Sequence, residues 1–265
     1  MYYHPEIVDC RHFEVTVAEK TGQERYYERT KTGTAMIAFL NLIFLFILTP
    51  SFIFAQEQQI GGKIIEHNLL DNKYFLSTPE NYLRNHGQQD KYPLIIGLHG
   101  FGGQAKGFLS LWFYPAKGRG YFIACPQIEY RTDRRLNENF VKDMLNQITR
   151  EYPIDQRRIF LTGHSAGAHF SYYLYLKNSF LFTASAPVSG MLRDWVVPYM
   201  HNAKGLKFYL IQGTKDSTNT MSEFEETLSI LKANKADVIY ETYEGGHEYP
   251  RNINDKIIDW FDTFK

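Results

Sequence analysis

The chain has 265 residues, of which 44% are hydrophobic and 16% aromatic, and its formal net charge at pH 7 is +0. That composition excludes a disordered or fibrous chain and suits one or at most two globular domains. The balanced charge carries no footprint of nucleic acid or of an acidic polymer as partner.

Residues 1–35 are polar, rich in Tyr and in charge, and show no sustained periodicity. They are expected to form a poorly ordered extension, or to lie upstream of a true start at Met36. From Met36 an apolar run reaches Leu48; Pro50 and then Ala55 follow, before the polar Gln56-Glu57-Gln58-Gln59. This pattern predicts a signal peptide over 36–55, cleaved after Ala55. The run also approaches the roughly 20 residues of a membrane span, so an uncleaved anchor is the alternative and a buried core helix the third reading. Arg29 and Lys31 precede it, which sends the rest of the chain across the membrane in either of the first two cases. The product is therefore expected to be exported: periplasmic, secreted or anchored to the outer face of the membrane. Cys10 and Cys125 fall on opposite sides of this segment, so no disulfide framework is expected.

The folded domain is predicted over 56–265. Two early strands, 63–69 and 73–79, turn around Asp71-Asn72. A polar connection leads to Tyr92-Pro93-Leu94-Ile95-Ile96-Gly97-Leu98, apolar throughout as a strand buried on both faces should be. It ends in His99-Gly100-Phe101-Gly102-Gly103. A helix is predicted from Gln104 to Pro115, a strand over 121–125, and a helix from Leu136 to Tyr152 with Phe140, Met144, Leu145 and Ile148 on one side. Further strands are predicted over 158–162, 182–188, 207–211 and 237–243, with helices over 168–176, 221–234 and 254–264. A loop carrying Trp195, Pro198 and Tyr199 precedes the strand at 207. Strands alternating with helices predict an α/β fold, a mostly parallel sheet covered on both faces, in which functional sites lie at the carboxyl ends of the strands.

Gly163-His164-Ser165-Ala166-Gly167 stands between a strand and a helix. A G-x-S-x-G there forms a sharp turn that exposes its serine, and the glycines let strand and helix approach. A serine hydroxyl needs a base within hydrogen-bond reach, and the base needs a group to fix its tautomer. His247, in the Gly-rich turn after the strand at 237–243, is the candidate base. Asp216, in the loop after the strand at 207–211, is the candidate acid. The order Ser165, Asp216, His247 is one that serine hydrolases of α/β type use. His201 and the acids Asp237, Asp255, Asp259 and Asp262 compete by residue type but not by position. The oxyanion of an acyl-transfer intermediate is expected to receive backbone N–H groups from Ala166 and from Phe101. Trp112, Tyr130, Trp195 and Tyr199 are candidate pocket walls. His164 and His169 lie five apart, off one helical face, so no metal is predicted.

Residues from about 60 to 265 resemble the α/β-hydrolase superfamily, and within it the polyhydroxybutyrate depolymerase and feruloyl esterase-like group, related to esterase D and dienelactone hydrolase. The pieces that carry the resemblance are His99-Gly100-Phe101-Gly102-Gly103, Gly163 to Gly167, Gly213-Thr214-Lys215-Asp216, Glu244-Gly245-Gly246-His247-Glu248-Tyr249-Pro250 and the lead-in Tyr152-Pro153-Ile154-Asp155. The resemblance implies a secreted or periplasmic serine carboxylic ester hydrolase without metal or organic cofactor, acting on a small or polymer-linked ester. The chain departs from the group's pattern at Ala168, often glycine, and at Thr218-Asn219, often Val-Pro; both departures are expected to bear on the substrate more than on the chemistry. A peptidase of the same fold and a non-catalytic binding protein are the competing readings.

Overall fold

The computed structural model describes residues 62–82 and 91–264; the extension over 1–35, the predicted leader over 36–55 and Cys10 lie outside them. Among the described residues no helix is long and apolar enough to cross a membrane.

In chain order the elements are β1 (Ile64–Leu69), β2 (Asn72–Ser77), β3 (Tyr92–Leu98), α1 (Ala105–Gly118), β4 (Phe122–Pro126), α2 (Arg134–Glu151), β5 (Ile154–His164), α3 (Ala166–Lys177), β6 (Ala184–Val188), β7 (Lys207–Gly213), α4 (Met221–Ala233), β8 (Asp237–Tyr243) and α5 (Ile253–Phe261). Among the described residues the strands form one eight-stranded sheet in the order β1-β2-β4-β3-β5-β6-β7-β8. β2 runs antiparallel to both β1 and β4, and every other pairing is parallel.

The apolar run of β3 shows why both faces are covered. Leu94, Ile96 and Leu98 point into a core shared with Phe140 and Met144 of α2, Phe170 and Tyr172 of α3, and Phe224 of α4. Ile95 points the other way, into a core with Phe108 and Trp112 of α1 and Ile257 and Phe261 of α5. Successive side chains of a strand leave opposite faces, so a strand between two helical layers must be apolar at every position. Residue-level signals fix the helix ends. The Asp133 carboxylate accepts from the Arg135 amide at the start of α2. Thr220 and Glu223 form a reciprocal capping box at the start of α4.

The structure differs most from the sequence reading in three places. α1 does not stop at Pro115 but continues through it to Gly118. β5 begins four residues earlier than expected, at Ile154, where pairing with β3 is interrupted by a register shift. The loop holding Trp195 and Tyr199 is a 3₁₀ helix, Asp194–Asn202.

Candidate active site

β5 carries the chain into the turn at Ser165, and α3 carries it away. Ser165 has φ 54° and ψ −117°, a region that side-chain-bearing residues enter only when the surroundings compel it. The surroundings do so by crowding. A Cβ on Gly163 would stand 2.5 Å from the Gly167 backbone, and one on Gly167 would stand 2.2 Å from the Leu98 carbonyl oxygen. Two backbone bonds lock the turn: Ser165 N–H donates to Val188 O at 3.0 Å, and His169 N–H to Ser165 O at 2.9 Å. Ala168, where a glycine was expected, has its methyl against Gly190, whose own Cβ would lie only 2.3 Å away.

Asp216 lies just beyond β7 and is buried. Its Oδ1 accepts from the amides of Thr218 (2.8 Å) and Asn219 (2.9 Å). Its Oδ2 accepts from Gln212 Nε2 (3.2 Å) and His247 Nδ1 (2.8 Å). Burial opposes the charge, but the bonds from the Asn219 amide, His247 and the Thr218 amide outweigh it and hold the carboxyl below its ordinary range. Asn219 is itself buried, donating through Nδ2 to Ser189 O (2.7 Å) and accepting at Oδ1 from Arg193 (2.9 Å). The Thr218-Asn219 departure thus touches the candidate acid, Asp216, directly.

His247 closes the constellation. Its Nε2 is 2.8 Å from Ser165 Oγ. An ionised Asp216 can only accept, so the proton sits on Nδ1 and leaves Nε2 free to accept from the serine hydroxyl. The loops that carry Asp216 and His247 are zipped by Thr214 N–H to Tyr243 O (2.9 Å) and Lys215 N–H to Gly245 O (2.8 Å). Gly213 permits the crossing, since a Cβ there would come within 2.5 Å of Gly246 O.

The turn after β3 faces the same serine. A Cβ on Gly100 would be 3.6 Å from Ser165 Cβ. The Gly100 carbonyl is held by His99 Nδ1 (2.8 Å) and by the Gly103 amide (3.0 Å). In a trans peptide the carbonyl and the following N–H point opposite ways, so pinning Gly100 O turns the Phe101 N–H away from both partners. His99 can do this because Ile128 N–H donates to its Nε2 (3.1 Å), which places the ring proton on Nδ1; burial lowers its pKa and keeps it neutral. The Ala166 amide is the first of α3, where a helical N–H has no intrahelical acceptor.

The sequence reading missed two groups. Gln127, just past β4, accepts from Ala105 N–H (2.9 Å) and donates to Gly103 O (3.3 Å), tying the Gly-rich turn to α1. A polar residue directly after Cys125-Pro126 at a strand's carboxyl end was the available signal. His164 lies with its ring centroid 5.2 Å from that of His247. Burial, with help from His247, lowers its pKa to about 4 and keeps it uncharged.

The proposed walls sort themselves. Trp112 is fully buried on α1 between helix and sheet, so it lines no pocket. Tyr130 donates to His99 O (2.6 Å) and borders a cavity of about 430 Å³ beside Phe101. Trp195 borders a cavity of about 360 Å³ that also holds Arg193 and Glu223. Tyr199 packs edge-on against Tyr173. His201 bonds to Pro198 O instead of the site (2.9 Å). Asp259 and Asp262 pair with Arg119, and Asp237 with Lys207. Cys125 is a buried free thiol whose pKa burial pushes up. Among the described residues no group of three His, Cys, Asp or Glu is arranged to hold a metal ion.

No family model matches the sequence, and comparison with curated proteins finds no match. Solved structures do match. A thermostable esterase superposes with TM-score 0.60 at 19% identity, over 77% of this chain and 64% of that one, so the chain spans about two thirds of its length. The S-formylglutathione hydrolase of Staphylococcus aureus gives TM-score 0.63 at 13% identity over 75% and 96% of the two chains. A ferulic acid esterase gives 0.61 at 13% over 77% and 98%. The fold is that of the α/β-hydrolases. At these identities the likeness concerns the fold and leaves chemistry to the residues.

Proposed function

We propose that this α/β-hydrolase-fold protein is a serine-dependent carboxylic ester hydrolase. The observation that carries the reading is the unbroken line from Ser165 Oγ through His247 to Asp216, two contacts of 2.8 Å each, on a serine forced to φ 54°. His247 Nε2 takes the hydroxyl proton as Ser165 Oγ attacks the ester carbonyl. The imidazolium so formed is stabilised by Asp216 and returns its proton to the leaving alcohol. The oxygen of the tetrahedral intermediate is received by the Phe101 and Ala166 amides; loss of one such donor typically costs about 3 kcal/mol of barrier. Water, activated by the same histidine, releases the acid. The fold of the esterases it resembles supports the reading, and the substrate is a small or polymer-linked ester.

The test is turnover of p-nitrophenyl acetate. Ser165→Ala is expected to abolish it and to abolish labelling by a fluorophosphonate; unchanged rates would sink the assignment. Aminoacyl amides cleaved as fast as esters would move the reading to a peptidase of this fold, and failure of Ser165 to label would move it to a binding protein. We propose further that the protein is exported, with 36–55 as leader or anchor. Mass spectrometry of the mature N-terminus decides between the two: a chain beginning at Gln56 supports a leader, an intact 36–55 an anchor.

A further inference from the structure

Pro115 stands inside α1. Proline has no N–H to donate to the carbonyl four residues back, and its ring crowds that carbonyl. The orphaned acceptor is Leu111 O. It is not left to solvent: Asn254 Nδ2, at the second position of α5 and buried, donates to it at 2.7 Å. With its amide N committed there, Asn254 presents Oδ1 in the opposite direction, and Tyr249 Oη donates to it at 2.6 Å. Burial pushes the Tyr249 hydroxyl's pKa well up, so it remains a donor.

Tyr249 is two residues beyond His247. Its ring is clamped edge-on by Phe108 of α1 (5.3 Å between centroids) and by His164 (5.7 Å). His164 in turn lies against His247. The base sits on a loop built with two glycines, Gly245 and Gly246, which resist distortion weakly. On its C-terminal side that loop is fastened through Tyr249.

We propose that Tyr249 and Asn254 are positioning residues for His247, and that Pro115 is the element that makes the fastening available by releasing the Leu111 carbonyl. This rests on His247 being the base. The position of the imidazole relative to Ser165 Oγ is then set partly by a helix on the other side of the sheet, through the chain Leu111 O, Asn254, Tyr249. Errors of about 1 Å in such placement can cost roughly 10²-fold in rate.

The decisive variant is Pro115→Ala in the full chain. Alanine restores the N–H that competes for Leu111 O and removes the helix breaker, so α1 becomes more stable. The expected result is an unchanged or raised Tm with kcat for p-nitrophenyl acetate lowered roughly five- to thirty-fold and KM within about twofold. Tyr249→Phe, which keeps the ring and removes only the hydroxyl, should lower kcat to a similar extent. Asn254→Asp keeps the acceptor for Tyr249 but loses the donor to Leu111, and should act like Pro115→Ala. The double variant Pro115→Ala with Tyr249→Phe should be no worse than the worse single one, since both cut one chain of contacts. Wild-type kcat in Pro115→Ala, or strictly multiplicative losses in the pair, would overturn the proposal. Should Asn254→Asp fail to fold, Pro115→Ala and Tyr249→Phe still decide it. His247→Ala run alongside separates the two ideas: an active His247→Ala removes the proposed mechanism, whereas an inactive one beside an unaffected Pro115→Ala removes only the fastening.

Discussion

Two buried carboxylates in this molecule are built to opposite ends. Glu138 on α2 is surrounded by donors: Lys142 Nζ (2.8 Å), Lys177 Nζ (2.7 Å), Tyr173 Oη (2.7 Å) and Asn178 Nδ2 (3.0 Å). Burial raises its pKa, and the four donors reverse that and bring it to about 2. Asp216 is equally buried but receives its support from two backbone amides, the Gln212 side-chain amide and one histidine. The first carboxylate is matched to cations whose charge never changes near neutrality, so it ties α2 to α3. The second is matched to a histidine, which under the proposed mechanism gains and loses a proton within one turnover. A buried acid can therefore be read by asking whether its partner is permanently charged or titratable.

Exchanging the acids for their amides should break the comparison most visibly. Asp216→Asn is expected to lower kcat by about 10⁴-fold, because the amide can donate to Nδ1 and select the wrong tautomer, while Tm changes little. Active-site titration together with thermal melting checks both halves. Glu138→Gln should do the reverse: a loss of about 3 kcal/mol in stability, with the activity per folded molecule kept. Urea unfolding and specific activity measure it, and a large fall in kcat would erase the distinction.

Acid titration sharpens the same contrast with a smaller effect. The folded Glu138 value of about 2 lies below the unfolded value of about 4.3. Its contribution to stability is thus complete above the unfolded value and drains away as pH falls toward the folded one. Tm of the wild type should drop over that window, and Glu138→Gln should flatten the drop. The smallest effect is expected from removing one lysine. Lys177 touches both Glu138 and Tyr173, so Lys177→Met should cost about 1–2 kcal/mol and Lys142→Met less.

The Glu138 cluster was invisible in the sequence, whereas the candidate constellation of Ser165, Asp216 and His247 was not. Ser165, Asp216 and His247 each sit at the carboxyl end of a strand whose apolar run can be recognised locally, and glycines mark the turns that carry them. Glu138 looks like any polar residue of an amphipathic helix until α2 and α3 dock and bring Lys177 and Asn178, some forty residues on, to its side. Trp112 failed as a pocket wall for a related reason. Its helix was recognisable, but the face that meets the sheet depends on α5 as well. Pro115 was read as a helix end because a proline ordinarily is one; here α5 supplies, through Asn254, the donor that the helix lost. Asn219 looked like a change of specificity, yet its backbone N–H donates to the carboxylate of the candidate acid Asp216.

The crossing of the loops at Gly213 has a consequence for the making of the protein. Ser165 and the Phe101 and Ala166 amides lie beyond β3 and β5, in the middle of the sheet, and Asp216 lies beyond β7, two strands further along. His247 arrives only with the loop beyond β8. Domains generally fold as units during synthesis, so His247 can reach Ser165 only after β8 has emerged and paired with β7. Under the proposed mechanism the base therefore joins Ser165 only when the edge strand of the sheet is in place.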